Sequence, residues 1–239
     1  MVDSPVSPSR PAPRQARAQA TRDTILAAAA HEFATAGYQA ASLSKILERS
    51  GVTKGALYFH FSSKEAMADA VAAVMERRFP EITAAFEGLG YDPLRTAVHL
   101  AIGLADIYEA DEYCIGGLRV IADGALGPDR IPWPHRYWED VFIDLLGRAA
   151  DQGLLRPSVD SRDLARTVVA LGHGHRVVSM AVTGSTDLRE RAVASWALLL
   201  GCVADPAWSE RWEAAGGMAS LPVGHPLAGV PESGSDPVP

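Results

Sequence analysis

Cysteine is scarce in this chain. There are two in 239 residues, Cys114 and Cys202, without CxxC spacing, so neither a disulfide framework nor a thiolate metal site is expected, and a reducing compartment fits. No apolar run approaches the ~18–20 residues of a membrane helix. The N-terminal stretch "MVDSPVSPSRPAPRQARAQ" lacks the apolar core of a signal peptide, and a cytoplasmic protein without membrane partners is expected. Strand-like alternation of β-branched residues is missing, as are internal repeats. There is no HExxH, no GxSxG, no P-loop and no GxGxxG after a strand, so no catalytic residue, metal or cofactor is expected.

Positive charge is also unevenly supplied. Residues 1–80 carry 10 Lys/Arg against 7 Asp/Glu, net +3, while the remainder carries 12 Arg against 22 Asp/Glu, net −10. All three lysines, Lys45, Lys54 and Lys64, fall in the first part, within 20 residues of one another. The overall charge of −7 therefore hides a basic first third on an acidic body, which suggests a division of labour.

The hydrophobic pattern is helical nearly throughout. Residues 1–17 are Pro-, Ser- and Arg-rich and read as a disordered arm, and residues 216–239 read as a flexible tail. The spacing of Ile25, Ala29 and Phe33 predicts a first helix from Ala18 to Ala36, ended by Gly37. Ser42 is the expected N-cap of a helix to Ser50, with Leu43, Ile46 and Leu47 inward. Gly51 supplies a turn and Thr53 caps a short helix whose inner face is Val52, Ala56 and Leu57. Ser62 or Ser63 caps a helix expected to stop at Phe79, before Pro80. Asp92-Pro93 opens another, to about Tyr108. A Gly/Pro-rich break spans 123–134, and later helices are expected over 135–152, 161–182 and 187–203.

Two short helices flanking Gly51 have helix-turn-helix geometry. Packing by Leu43, Ile46, Leu47, Val52 and Leu57 leaves Thr53, Lys54, Gly55, Tyr58 and His60 on an outer face. Gly55 keeps that face thin, Lys54 can reach base acceptors or a phosphate, and Tyr58 and His60 can donate to phosphate oxygens. Phe59 and Phe61 are assigned to the core. The run "TRDTILAAAAHEFATAGYQAASLSKILERSGVTKGALYFHFSSKEAM" resembles the DNA-binding domain of TetR-type transcriptional repressors. The resemblance implies an all-α chain. A three-helix DNA-binding domain (18–66) would be joined to a larger helical ligand-binding and dimerisation domain (67–215). It also implies that the Thr53–His60 helix enters the major groove of double-stranded operator DNA, that Lys54 reads a base, and that Thr21, Ser42, Tyr58, His60 and Lys64 contact phosphates.

Such repressors act as homodimers through their last two long helices. Here that implication falls on Val169, Gly172, His173, Arg176, Trp196 and Leu199. In "GHGHR", His173 and His175 stand two apart on a helix and point about 200° from each other, which disfavours a shared metal. The stretch "GLRVIADG…IPWPHRYWEDV" resembles the ligand domain of γ-butyrolactone receptors, TetR-type repressors that control secondary metabolism, commonly antibiotic production. It implies that Trp138 stacks on a small signalling molecule, a butyrolactone, furan or butenolide. Leu100, Leu104, Tyr108, Leu118, Ile121 and Trp133 are further candidates for the pocket wall. Two other readings stay open. One is a regulator of efflux or catabolism answering to another hydrophobic ligand, with Asp106, Glu109 and Asp123 favouring cations. The other is a pseudo-receptor that ignores butyrolactones.

Overall fold

The computed structural model describes residues 13–222 and Gly224. Within them the chain forms ten α-helices and no strand beyond a single antiparallel bridge between Leu155 and Ala204. The helices are α1 (Pro13–Ala40), α2 (Leu43–Ser50), α3 (Lys54–His60), α4 (Lys64–Glu87), α5 (Pro93–Ala110), α6 (Glu112–Ala122), α7 (Trp133–Asp151), α8 (Ser161–Thr183), α9 (Leu188–Val203) and α10 (Pro206–Ala214).

Local chemistry sets most of the boundaries. Gly37 breaks α1 with φ 78° and ψ 165°, a conformation that favours glycine, and one further turn follows. Gly51 closes α2 in the left-handed region at φ 66°. The hydroxyls of Thr53 and Ser63 accept from the Ala56 and Ala66 N–H groups, each at 3.2 Å, and cap α3 and α4. Asp92 caps α5 by accepting from the Arg95 N–H at 2.9 Å, with Pro93 at the first helical position.

Several expectations are corrected. Helix α1 begins at Pro13, not Ala18, because Arg14–Ala20 are good helix formers behind a proline at N1. Residues 13–17 are thus helical, and the rest of the expected arm lies outside the described residues. Ser42 makes no side-chain cap. The buried Glu32 carboxylate takes that role from another helix, accepting the Ser42 N–H at 3.1 Å. Helix α4 runs through Pro80 to Glu87. An interior proline costs about 3 kcal/mol, but stopping there would leave Ile82 and Phe86 out of the core. Burying two such side chains contributes about 1.5–3 kcal/mol each. Helices α6 and α10 were not anticipated. The tail is docked at its start: Gly217–Ser220 form a 3-10 turn, Leu221 is buried, and the Pro222 carbonyl accepts from Arg189 at 2.8 Å. Residues 223 and 225–239 lie outside the described residues.

The apolar side chains separate into two cores. The first joins Ile25, Ala29 and Phe33 of α1 to Ile46, Leu57 and Phe61, and the second fills the larger body around Phe79, Leu100, Trp138 and Trp196. Two helices serve both. Helix α4 gives Met67 and Val71 to the first core and Met75, Phe79, Ile82 and Phe86 to the second. Helix α6 gives Tyr113 and Val120 to the first and Cys114, Leu118 and Ile121 to the second. A rotation of α6 therefore cannot be confined to one body.

Candidate DNA-reading helix and ligand cavity

Ile46 of α2 and Leu57 of α3 are buried in the first core with α1, and Leu43, Leu47 and Val52 pack against that core. Thr53, Lys54, Gly55 and Tyr58 are left exposed. The Lys54 ammonium stands 5.9 Å from the Tyr58 ring centroid, so cation and phenol present one patch. Nothing inside the chain requires glycine at 55: an added Cβ would meet no atom within 4 Å. His60 is half-buried, edge-on to Phe59 at 5.2 Å. Phe59 corrects its assignment to the core, being 82% exposed. Leu57 and Phe61, four apart, take the inward face, and the residue midway between them must point away. The signal was the helical period itself, which the aromatic character of "YFHF" obscured.

Two of the other expected phosphate contacts, Thr21 and Lys64, have side-chain partners within the chain. Thr21 donates to the Arg17 carbonyl at 3.0 Å. Lys64 donates to the Ala41 carbonyl at 2.9 Å and lies 4.6 Å over the Tyr38 ring, fastening the α1–α2 turn. Ser42 is half-buried and its hydroxyl caps nothing.

A cavity of about 690 Å³, counting its open mouth, lies between α5, α6, α7 and α8. Leu104, Tyr108, Leu118, Trp138 and Phe142 form its apolar wall, with His135, His173, His175 and Arg176 on the polar side. The Trp138 Nε1–H donates to the Tyr108 hydroxyl at 3.0 Å, which fixes the indole plane. Behind it stand Phe79 and Tyr137, at 4.7 and 5.0 Å between ring centroids. Burial pushes the Tyr108 phenol up, so it is un-ionised. Of the expected wall residues, Leu104, Tyr108, Leu118 and Trp138 come together here. Leu100 and Ile121 are buried in the core without lining the cavity, and Trp133 stacks on Phe79 at 5.4 Å. The acids that kept a cation site open are engaged elsewhere. Asp106 pairs with Arg189, Glu109 accepts the Leu188 N–H at 2.9 Å, and Asp123 accepts the Tyr38 N–H at 2.8 Å.

Six residues of α8 and α9 were expected at a subunit interface. Val169, Gly172, His173 and Arg176 line the cavity, Trp196 is buried in its own core, and Leu199 is half-buried. The outward apolar strip is a different set: Val177, Val178, Val182 (69% exposed) and Leu198 (76% exposed). Among the described residues no group of three metal ligands converges, the cavity histidines included.

Between the α1–α3 bundle and the cavity lies α6. Its Gly116 approaches α1 so closely that a Cβ would stand 2.8 Å from the Ala30 carbonyl oxygen. Arg119 donates to the Thr35 carbonyl at 3.0 Å and to the Met180 sulfur at 3.0 Å, tying α1 to α8. His31 bridges further: its Nδ1 meets Glu112 at 2.6 Å and its Nε2 meets Arg49 at 2.5 Å. With Nδ1 as the donor, Nε2 is free to accept from the guanidinium.

Known proteins resemble this chain in sequence and fold. The family model for bacterial regulatory proteins of the tetR family matches residues 25–71. The A-factor receptor protein of Streptomyces griseus is 34% identical over 193 residues, 81% of this chain and 67% of that protein. CprB of Streptomyces coelicolor, solved in complex with its biological operator sequence, is 31% identical with a TM-score of 0.69, covering 83% of this chain and 96% of that one. A γ-butyrolactone receptor described as ArpA-like is 28% identical with a TM-score of 0.69, covering 86% and 97%. No helix of the described residues is long and apolar enough to cross a membrane. The chain belongs to the TetR family of bacterial transcriptional regulators, in the branch that holds the γ-butyrolactone receptors.

Proposed function

We propose that this protein is a homodimeric repressor that binds a palindromic operator through α3 and is released when a small, largely apolar signalling molecule enters the Trp138 cavity, controlling secondary metabolism. The observation that carries the reading is the position of α6. Leu118 forms part of the cavity wall, while Gly116, two residues away, seats against α1 with no room for a side chain. A ligand pressing on one face of α6 must act on the helix that carries the DNA-reading bundle. Release then follows from the ligand's differential affinity for two orientations of that bundle. One bundle offers few base contacts, so two related by a two-fold axis are needed to read an operator. The exposed strip of Val178, Val182 and Leu198 is a face such a pairing would cover.

The test is a gel shift with the protein's own upstream DNA, titrated with an organic extract of the producing culture. A retarded band that the extract abolishes supports autoregulation and ligand release together. A band unmoved by extract, or no band, counts against it.

A further inference from the structure

Arg176 carries an inference beyond the proposed function, on which it rests for the identity of the cavity. Its guanidinium, on α8, lines the cavity beside Tyr108, Leu118 and Trp138. Such a group presents five N–H donors and no acceptor. Among the described residues no carboxylate pairs with it and no hydrogen bond reaches it, and burial lowers its pKa from the ordinary value. The nearby Arg119 has the same sign and is itself held only by a carbonyl and a thioether. Its other polar neighbours at the mouth are His135 and His173, whose rings meet edge to face at 4.9 Å. Glu139 acts on His135, and the carboxylates of Asp106, Glu109 and Asp187 are committed to Arg189, the Leu188 N–H and Arg191. A half-buried cation without a counter-ion is costly. Here the cost falls at the edge of an apolar cavity, facing α5, α6 and α7 and not the exposed strip of α8 and α9.

We infer that the effector is an amphiphilic monocarboxylate, its apolar body against Trp138, Leu104 and Leu118 and its acidic head on the Arg176 guanidinium. One unpaired planar fork suits one carboxylate bidentately. The apolar remainder of the wall would not hold a polyanion. His135 and His173 stand at the exposed mouth of the cavity, where partial burial and then Arg176 lower their pKa values from the ordinary one, and their ring N–H groups can add a hydrogen bond to the head. Neutral lactones fill the apolar wall but leave the guanidinium unsatisfied.

Matched probes decide this. Sodium octanoate and octanamide share an apolar chain and differ in charge at the head. Isothermal titration of the full-length protein should show octanoate binding at least tenfold tighter than octanamide. Arg176→Met keeps the aliphatic stem, and it should bring octanoate down to the octanamide level while leaving octanamide unchanged. Arg176→Lys should restore part of the preference. Equal binding of the two probes by the wild-type protein overturns the inference, as does an undiminished preference in Arg176→Met or no octanoate binding at all. If Arg176→Met does not fold, the wild-type comparison and Arg176→Lys still decide. A parallel gel shift separates the two ideas. A carboxylate preference without operator release upholds the acidic head and sinks the gating scheme; release by octanamide as readily as by octanoate does the reverse.

Discussion

Phe59 shows how a single residue can mislead and then inform. A phenylalanine that stands 82% exposed at the end of a helix gains nothing from folding the chain it belongs to. Beside Lys54 and Tyr58 it completes an apolar and cationic face suited to a groove wall and a phosphate. Lys54→Ala and Phe59→Ala are each expected to leave the melting temperature within a degree or two and to weaken operator binding about tenfold or more, measured by fluorescence anisotropy. His99 makes a different point at the same scale. Burial, and then the neighbouring Arg95, hold its pKa down at about 4 from the ordinary 6.5. The unfolded chain takes up that proton near pH 6.5 and the folded chain only near 4. Its contribution to stability is therefore whole above about 6.5 and is lost as the pH falls to about 4. His99→Gln should flatten the acid limb of melting temperature against pH without changing operator binding at pH 7.5.

At the scale of elements, α6 is the part whose packing leaves least freedom. Gly116→Ala inserts a methyl against the Ala30 carbonyl, and overpacking of this kind costs about 1–3 kcal/mol. Gly147→Ala in α7 meets no atom within 4 Å and should be neutral or stabilising by about 0.5–1 kcal/mol. Thermal melts of the two variants test whether tight seating is particular to α6. Much of this architecture was legible in the sequence, because caps and turns are local chemistry. Thr53, Ser63 and Asp92 cap the helices they were expected to cap, and Gly51 makes its turn. Asp205-Pro206 repeats the Asp92-Pro93 signal and does open α10, whose Trp208 and Trp212 stack at 5.4 Å. Pro80 misled because a breaker's cost is local while the gain from Ile82 and Phe86 is tertiary. Arg176 is expected at a subunit interface because the family resemblance gives a role to the last two long helices as wholes, without assigning one to each face; the structure sets it on the cavity wall. Its lack of a counter-ion is visible only in three dimensions.

Taken whole, the molecule sets a basic first third, which carries the DNA-reading bundle, on an acidic body. Operator affinity should fall steeply between 50 and 200 mM salt, by about 10³-fold or more if six or more phosphates are contacted across the dimer. The pairing itself is open to attack at the strip that folding leaves uncovered. Leu198→Glu with Val182→Glu should convert a dimer to a monomer in sedimentation velocity and abolish operator retardation while the helical signal is retained; a dimer that survives both charges would place the interface elsewhere. The central claim, that occupancy of the Trp138 cavity moves the DNA-reading helices, is met most directly by one comparison. Operator complexes of the wild-type protein and of Trp138→Ala are titrated with the same culture extract, with anisotropy of labelled DNA as the readout. The wild-type complex should dissociate while the Trp138→Ala complex, formed with equal affinity, stays bound; dissociation of both along the same curve would contradict the coupling.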